Sequence, residues 1–136
     1  MNSFEKAYLD VIFESDYSDD YWMKNGSYRG IDFYVRKDGH LRERLAERYK
    51  NISVSNAIQI MKRFIKLSLN DETSFLSKRP STSNSISFTI HGIVSNVYVS
   101  GRFKANGGVW RCYIATALPS EGAHHSSNDY FKEIDA

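Results

Sequence analysis

The spacing of apolar residues switches between helical and alternating patterns along the chain, and each pattern predicts a different element. In residues 4–14 apolar side chains recur at helical spacing, which predicts an amphipathic helix that ends in the acidic, turn-prone residues 15–20. Residues 24–27 are typical of a loop, and residues 31–36 alternate apolar and polar side chains as a short strand does.

Two further stretches have helical spacing. In residues 40–50 every fourth position is apolar, which predicts a second helix. These positions are Leu41, Leu45 and Tyr49. A broader apolar face in residues 57–69 predicts a third helix, which either Ser53 or Ser55 can cap.

The last part of the chain has the alternation of strands. Residues 73–85 are rich in serine and predict a mobile loop that carries Lys78 and Arg79. Beyond them, alternating residues predict strands at 86–91, 97–104 and 109–118, and Asn106-Gly107 predicts a tight turn between the last two. Helices first and strands afterwards predict an α+β fold with N-terminal helices packed on a C-terminal antiparallel β-meander.

The length of 136 residues, of which 41% are hydrophobic, suits one core and predicts a single domain. We divide it into an acidic helix and loop (1–35), basic helices (36–72), a mobile loop (73–85), an antiparallel sheet (86–119) and an acidic tail (120–136). No segment approaches the roughly 20 apolar residues of a membrane span, and the N-terminus has no secretion-signal pattern.

Charge is distributed unevenly, although the net charge is only +2. Residues 1–35 carry −4, residues 36–111 carry +9 and residues 112–136 carry −3. A strongly basic middle between acidic ends favours an anionic polymer as the partner, and RNA is the one we expect. The alternative is a solvated basic face with no ligand.

The sequence offers no cluster of metal ligands. Its single cysteine, Cys112, sits among apolar residues and predicts a buried thiol, and the adjacent pair His124-His125 lies in a polar, tail-like setting. No glycine-rich phosphate motif occurs. We therefore expect neither a metal nor a small-molecule cofactor.

One candidate catalytic group lies on the second predicted helix. His40, Arg44 and Arg48 follow one another at four-residue intervals, which presents an imidazole beside two fixed cations. An imidazole can take the proton from a ribose 2′-hydroxyl, and guanidinium groups can stabilise the charge that develops on a phosphate. The alternative is an exposed histidine on a basic helix.

A candidate binding surface follows from the hairpin. A two-residue turn at Asn106-Gly107 would pair Arg102 with Arg111, and opposed like charges are better explained by a bound phosphate. Two tyrosines of the same strands, and a lysine, would complete the surface. The predicted RNA-binding residues are Arg102, Arg111, Lys104, Tyr98 and Tyr113. The alternative is that both arginines extend into solvent.

The segment of residues 39–119 resembles the ribonuclease-A-like toxin domains of contact-dependent inhibition and other polymorphic toxin systems of bacteria. The resemblance rests on Gly39-His40 at the start of a helix, on the arginines that follow, and on a last strand that ends in Tyr-Ile-Ala-Thr-Ala-Leu-Pro, residues 113–119. Leu118 stands where the family has a tyrosine.

The resemblance implies roles for particular residues. His40 would be the catalytic histidine, Arg44 or Arg48 the phosphate contact, and Thr116 a supporting hydroxyl. The predicted hairpin register, however, places Thr116 opposite Val97 on the apolar side of the sheet. Only a twist or a bulge in the strand would bring it to a catalytic position.

These features together favour a metal-independent endoribonuclease toxin that forms a cyclic phosphate, with His91 as a candidate second imidazole. The resemblance also implies a cognate immunity protein, action in the bacterial cytoplasm and delivery as part of a larger secreted protein. The alternative function is a non-catalytic binding protein, either an RNA-binding module or an immunity or inhibitor protein.

Overall fold

A computed structural model describes residues 20–81, 84–119 and 130–136, which form a mixed α+β fold. Six strands make one sheet, and two helices lie between the second and third strands in the chain. The elements are β1 (Trp22–Tyr28), β2 (Ile31–Arg36), α1 (His40–Arg48), α2 (Val54–Leu69), a 3-10 turn (Phe75–Ser77), β3 (Ser85–Gly92), β4 (Val97–Asn106), β5 (Val109–Leu118) and β6 (Tyr130–Ile134).

The sheet has the strand order β1-β2-β5-β4-β3-β6. Neighbours are antiparallel except for two parallel pairs, β2 with β5 and β3 with β6. The α+β class is therefore correct, and β3, β4 and β5 form the predicted antiparallel meander, which the parallel strands β2 and β6 extend on either side. The helices-first order is not confirmed, because β1 and β2 precede both described helices. Parallel pairs join segments distant in sequence, which local alternation does not reveal.

Several predicted elements are present in the structure. The predicted strand at 31–36 is β2, the predicted helix at 40–50 is α1, and the three predicted C-terminal strands are β3, β4 and β5. Ser53 rather than Ser55 caps α2, in a capping box with Asn56. The predicted helix at residues 4–14 and the pair His124-His125 lie outside the described residues.

Other local predictions are wrong. Residues 24–27 belong to β1. A bulge and the positive φ of Gly26 (90°) interrupt the regular strand there, so the sequence has the pattern of a loop. Residues 130–134, predicted as tail, form β6 beside β3. Within the predicted loop at 73–85, the 3-10 turn buries Leu76 and packs the Phe75 ring edge-on against Trp110, and the mobility of the loop stays a prediction.

The hydrophobic core lies between the helices and one face of the sheet. Helix α2 contributes an apolar stripe that includes Phe64, whose ring contacts Phe103 of β4. Helix α1 contributes Leu41 and Leu45 to the same core. Cys112 of β5 is fully buried there, as predicted, and its burial raises the pKa of the thiol well above its usual value.

The β4–β5 hairpin turns one residue later than predicted. Asn106 pairs with Val109, so Gly107 and Gly108 form the turn, with φ values of 61° and 86°. A tight hairpin turn needs two positive φ angles, and two glycines adopt them with less strain than Asn-Gly. Arg102 therefore lies opposite Tyr113, and Arg111 opposite Lys104. The predicted Arg102–Arg111 pair is wrong.

A bulge in β5 decides which way Thr116 faces. Gly101 pairs with Ile114 but Ser100 pairs with Thr116, so Ala115 is an extra residue in the ladder. Without it the same register would place Thr116 opposite Val99, among core residues. The bulge moves Thr116 to the face that carries Ser100, and this corrects its predicted position opposite Val97.

Gly101 occupies the position in β4 just before the bulge, where no side chain fits. A Cβ atom there would overlap the backbone carbonyl oxygen of Tyr113 and lie 2.9 Å from Cζ of Phe88. The neighbouring atom is backbone and cannot rotate away. The close approach of β4 to β5 at the bulge therefore depends on glycine.

We expect Gly101→Ala to lower the free energy of unfolding by about 3 kcal/mol, the upper end of the usual cost of overpacking, because the overlapping atom is backbone. Gly26→Ala is the matched control: nothing lies within 4 Å of its Cβ position, and only its positive φ opposes the substitution. That strain amounts to about 1 to 2 kcal/mol. Urea titration of both variants measures the difference. Equal losses of unfolding free energy would show that the steric overlap at residue 101 has no effect of its own.

Candidate functional site

Helix α1 docks against the C-terminal part of β5, beyond the last residue of β5 that pairs with β2. Strand β2 pairs with β5 only as far as Ile114. Beyond that point Arg48 Nη1 donates to the carbonyl oxygen of Ala117 at 2.6 Å, and the Tyr49 hydroxyl donates to that of Leu118. The side chains at the end of α1 thus satisfy strand carbonyls that β2 no longer reaches.

Tyr49 also joins β5 to β4. Its hydroxyl accepts a hydrogen bond from the backbone N–H of Tyr98 at 3.1 Å while it donates to Leu118, and Tyr98 and Leu118 are paired residues. The Tyr49 hydroxyl therefore bridges the backbones of β4 and β5 at this pair of residues. Burial raises the pKa of Tyr49, so the hydroxyl keeps its proton and remains a donor.

The other end of α1 is set by Asp38 and Gly39. Gly39 has a φ of 78°, a left-handed conformation that turns the chain from β2 into the helix. An Asp38 carboxylate oxygen accepts the backbone N–H of His40 at 3.0 Å, and the other oxygen accepts Arg36 Nη2 at 2.8 Å. These contacts fix His40 as the first helical residue.

His40 and Thr116 meet at the centre of the candidate site. The Nε2 atom of His40 lies 3.1 Å from Oγ1 of Thr116, although the residues are 76 positions apart in the sequence. The side chains are buried, with 5% and 2% of each residue exposed. The tautomer decides the direction of the bond: with its proton on Nδ1, the imidazole accepts from the threonine hydroxyl through Nε2.

Burial and positive charge keep this imidazole neutral. Desolvation is the largest influence, and the nearby Arg44 guanidinium is the second; together they hold the pKa of His40 at about 4, below its usual 6.5. Arg36 and Arg48 lower it further, while Asp38 opposes them. At neutral pH, His40 is therefore a hydrogen-bonding base rather than a cation.

The arginines of the predicted catalytic group lie along one side of α1 but do different things. Arg44 is partly exposed, pairs with Glu47 at 2.9 Å and acts on His40 through its charge. Arg48 is bound to the backbone of β5 and so positions the helix. Of the two, Arg44 is better placed to meet a phosphate.

The structure does not support the predicted stacking surface. The Tyr113 ring is 3% exposed and stacks on Tyr34 with centroids 4.9 Å apart. The Tyr98 ring stacks on His91 at 4.0 Å. Tyr113 is buried, so its predicted role as a base-stacking platform is wrong. Tyr98 is half-buried with one ring face on His91, and its role stays a prediction.

Both arginines of the predicted binding surface contact neighbouring side chains. Arg102 donates to the Ser85 hydroxyl at 2.8 Å. Arg111 lies 5.2 Å from the centre of the Tyr34 ring, and the Asn106 amide, with its oxygen toward Arg111, accepts from two guanidinium nitrogens at 2.9 and 3.1 Å. Lys104 lies directly across from Arg111 in the ladder. The positive charge of this hairpin is thus partly engaged within the protein.

The structure does not bring His91 to His40. Its Nδ1 lies 2.8 Å from the Glu133 carboxylate and its Nε2 2.8 Å from the Asn96 side-chain oxygen. Strand β3, which carries His91, is two strand spacings from β5, a lateral separation of about 10 Å. We conclude that His91 ties β6 to β3 and is not a second imidazole beside Thr116.

A row of buried hydroxyl groups was missed by reading the sequence. Thr89, Ser100 and Thr116 are paired across β3, β4 and β5 and are each no more than 4% exposed. Ser100 donates to the carbonyl oxygen of Phe88 at 3.2 Å, whereas Thr89 Oγ1 is buried with no hydrogen-bond partner. The alternating pattern in the sequence places each of these residues in a strand. Only the register between the strands shows that the three hydroxyl groups lie side by side.

Comparison with family models, with curated proteins and with solved structures finds no match for this chain. The resemblance to ribonuclease-A-like toxin domains therefore stays a prediction from the sequence. Within residues 20–81, 84–119 and 130–136, no group of three or more His, Cys, Asp or Glu side chains could hold a metal ion. No helix in that part of the chain is long and apolar enough to cross a membrane.

The depressed pKa of His40 predicts a pH dependence of stability. Because the folded pKa of about 4 lies below the unfolded value of 6.5, the unfolded chain binds more protons between these values. The stabilisation is complete above pH 6.5 and is lost as the pH falls through 4. After allowance for solvent screening, we expect a loss on the order of 2 kcal/mol.

The variant His40→Gln isolates this contribution. Glutamine does not titrate and can still hydrogen-bond to Thr116, so its free energy of unfolding should fall less steeply over the same pH range. Urea titrations at several pH values measure both curves. Parallel curves for the two proteins would show that His40 has an ordinary pKa in the folded state.

Proposed function

We propose that this protein is a metal-independent endoribonuclease that cleaves RNA through attack of a ribose 2′-hydroxyl on the adjacent phosphate. The observation that carries the proposal is the 3.1 Å contact between His40 Nε2 and Thr116 Oγ1, with the Arg44 charge beside it. A neutral imidazole can act as the general base of such a reaction, a guanidinium can stabilise the charge on the phosphate, and the threonine hydroxyl can orient the imidazole.

In the proposed reaction His40 is the other tautomer: its Nε2–H donates to Thr116 Oγ1, and its Nδ1 removes the proton of the 2′-hydroxyl while the 2′-oxygen bonds to phosphorus. The bond from phosphorus to the 5′-oxygen breaks, and that oxygen takes a proton from the imidazolium or from water. The products are a 2′,3′-cyclic phosphate and a 5′-hydroxyl. Arg44 stabilises the charge on the phosphate oxygens, and Thr116 orients the imidazole.

The bound phosphate also tunes the base. A base with a pKa of about 4 is weak at neutral pH. A phosphate anion next to His40 favours the protonated form and so raises its pKa toward the working range. The free protein thus keeps His40 neutral, and the substrate itself makes it basic enough to act.

The low exposure of the pair favours a second candidate function. His40 is 5% exposed and Thr116 2%, so a phosphate reaches them only if the surrounding structure opens. A non-catalytic binding protein, for RNA or as an immunity or inhibitor protein, needs no such opening. In that case the His40–Thr116 bond serves to hold α1 against β5.

The biological setting of the proposal comes from the sequence resemblance. A ribonuclease of this type is a bacterial toxin that acts in the cytoplasm of a target cell, arrives as part of a larger secreted protein, and is neutralised by a cognate immunity protein. The net charge of +9 on residues 36–111 suits both an RNA substrate and an acidic inhibitor.

We expect the purified protein to cleave total RNA in the presence of EDTA and to leave 2′,3′-cyclic phosphate ends. His40→Gln should reduce the rate at least about 100-fold, the usual contribution of a general base. His91→Gln is the matched control, since it removes the other described imidazole but lies away from Thr116. Phosphatase-resistant ends that become labile after acid treatment identify the cyclic product.

Three results would contradict the mechanism: cleavage that requires a divalent cation, an active His40→Gln variant in a folded protein, or equal losses for both histidine variants. Binding of RNA with no cleavage under any condition would favour the second candidate. Absence of both activities would favour an immunity or inhibitor protein.

The basic middle of the chain predicts strongly salt-dependent RNA binding. Each phosphate neutralised by a cation releases counterions, so log affinity should fall linearly with log salt concentration, by about 0.7 per contact for a single strand. We expect a slope several units negative, less steep in Arg44→Gln but unchanged in Lys66→Gln, whose exposed lysine lies on α2. Fluorescence anisotropy of a labelled RNA measures it, and a flat plot would exclude the basic segment as the RNA contact.

A further inference from the structure

A second concave site lies at the opposite end of β5 from Thr116. It is a pocket of about 340 Å³ beside the start of β3 and the β4–β5 hairpin. Phe75, Ile86 and Trp110 are among the residues that form its apolar part, and Trp110 is 5% exposed. A volume of this size lies at the lower end of the range for small-molecule sites, which are about 300 to 1,000 Å³.

Two cations line the same pocket. Lys78 and Arg79 are exposed and belong to the segment that the sequence analysis singled out as a basic loop. Among the residues that the structure describes, no acid lines the pocket. Two acids, Asp71 and Glu72, precede the lining residue Thr73 in the sequence. The Asp71 carboxylate accepts hydrogen bonds from the backbone N–H and the hydroxyl of Thr73 at 2.9 and 2.7 Å.

The hairpin turn fixes the position of Arg79. A Cβ atom on Gly108 would lie 2.6 Å from both Nε and Nη2 of Arg79, so the guanidinium rests directly on the glycine backbone. The Lys78 backbone is fixed as well, because its carbonyl oxygen accepts the Trp110 indole N–H at 3.3 Å. The Lys78 backbone thus contacts a tryptophan, and the Arg79 guanidinium lies against the turn.

The chemistry of the pocket suits one class of ligand. The half-buried side chains of Phe75 and Ile86 can pack against a nucleobase, and the two cations can bind its phosphate. The Asn84 amide NH2 can donate to the base or the sugar, while its oxygen accepts the backbone N–H of Ser81 at 2.8 Å. An aliphatic ligand would leave the cations unused. An inorganic anion would leave the aromatic wall unused.

We propose that this pocket binds one nucleotide of single-stranded RNA, at a distance from the site of cleavage. Trp110 and Thr116 are six residues apart on β5, which separates the pocket from His40 by about 20 Å at roughly 3.3 Å per residue. The RNA assignment rests on the proposed function. It implies a substrate of several nucleotides, since a dinucleotide cannot span the two sites.

Binding to the pocket is measured without any cleavage, by NMR of the 15N-labelled full chain with adenosine 5′-monophosphate as the probe. The chain has two tryptophans, so Trp110 and Trp22 give the only two indole N–H signals. The Trp110 signal should shift and saturate, and the Trp22 signal should stay in place. Inorganic phosphate alone should shift Trp110 less and bind more weakly.

Charge removal tests the two cations. The double variant Lys78→Gln, Arg79→Gln should weaken mononucleotide binding at least about tenfold, as expected when charge-assisted hydrogen bonds to phosphate are lost. The double variant Lys62→Gln, Lys66→Gln removes the same charge from α2 and should bind as the parent does. Absence of a Trp110 shift, equal effects of both variants, or a larger shift with an Asp/Glu peptide than with the nucleotide would overturn the proposal.

Kinetics separate this proposal from the proposed function. The Lys78, Arg79 variant should raise KM for a long RNA about tenfold and leave both kcat and the cleavage of a dinucleotide unchanged. His40→Gln should bind the mononucleotide normally. Nucleotide binding in a protein that cleaves no RNA would refute the ribonuclease alone, whereas cleavage with an unchanged KM in the variant would refute the pocket alone.

Discussion

The C-terminal half of β5 must satisfy its backbone after β2 has ended, and the rest of the site depends on how it does so. Buried carbonyl groups without partners are strongly unfavourable. Arg48 and the Tyr49 hydroxyl supply the missing donors at Ala117 and Leu118. A helix anchored at its C-terminal end by two strand contacts has little freedom at its N-terminal end. His40 is consequently delivered to one place on β5, the position of Thr116.

That position becomes chemically useful because of the bulge. A regular ladder would turn Thr116 into the core, whereas the extra residue Ala115 turns it toward His40. Burial of the pair then separates the imidazole from water and, with Arg44, keeps it uncharged. Three features of the site, its geometry, its protonation state and its shielding from solvent, therefore follow from the same packing of α1 on β5.

The positive charge of the chain is used in two structurally different ways. Around His40 it acts over short distances on a buried group. At the pocket of Lys78 and Arg79 it is exposed beside aromatic rings, where a ligand can reach it without any opening of the fold. Under the proposed function, binding energy at the exposed pocket would offset the opening of the buried site.

The sequence by itself determined the α+β class, both described helices, β2 and the three strands β3 to β5, because spacing and capping are local properties. It also singled out His40, through its spacing from Arg44 and Arg48, and Thr116, through a resemblance. It could not determine the parallel pairs, the turn at Gly107-Gly108 or the bulge at Ala115, since these depend on contacts between distant segments. Only the tertiary structure decided that Thr116 faces His40, that Tyr98 and Tyr113 stack on protein rings, and that Lys78 and Arg79 line a pocket. A one-residue change of register reverses the face of every side chain beyond it, and nothing in the local pattern records that change.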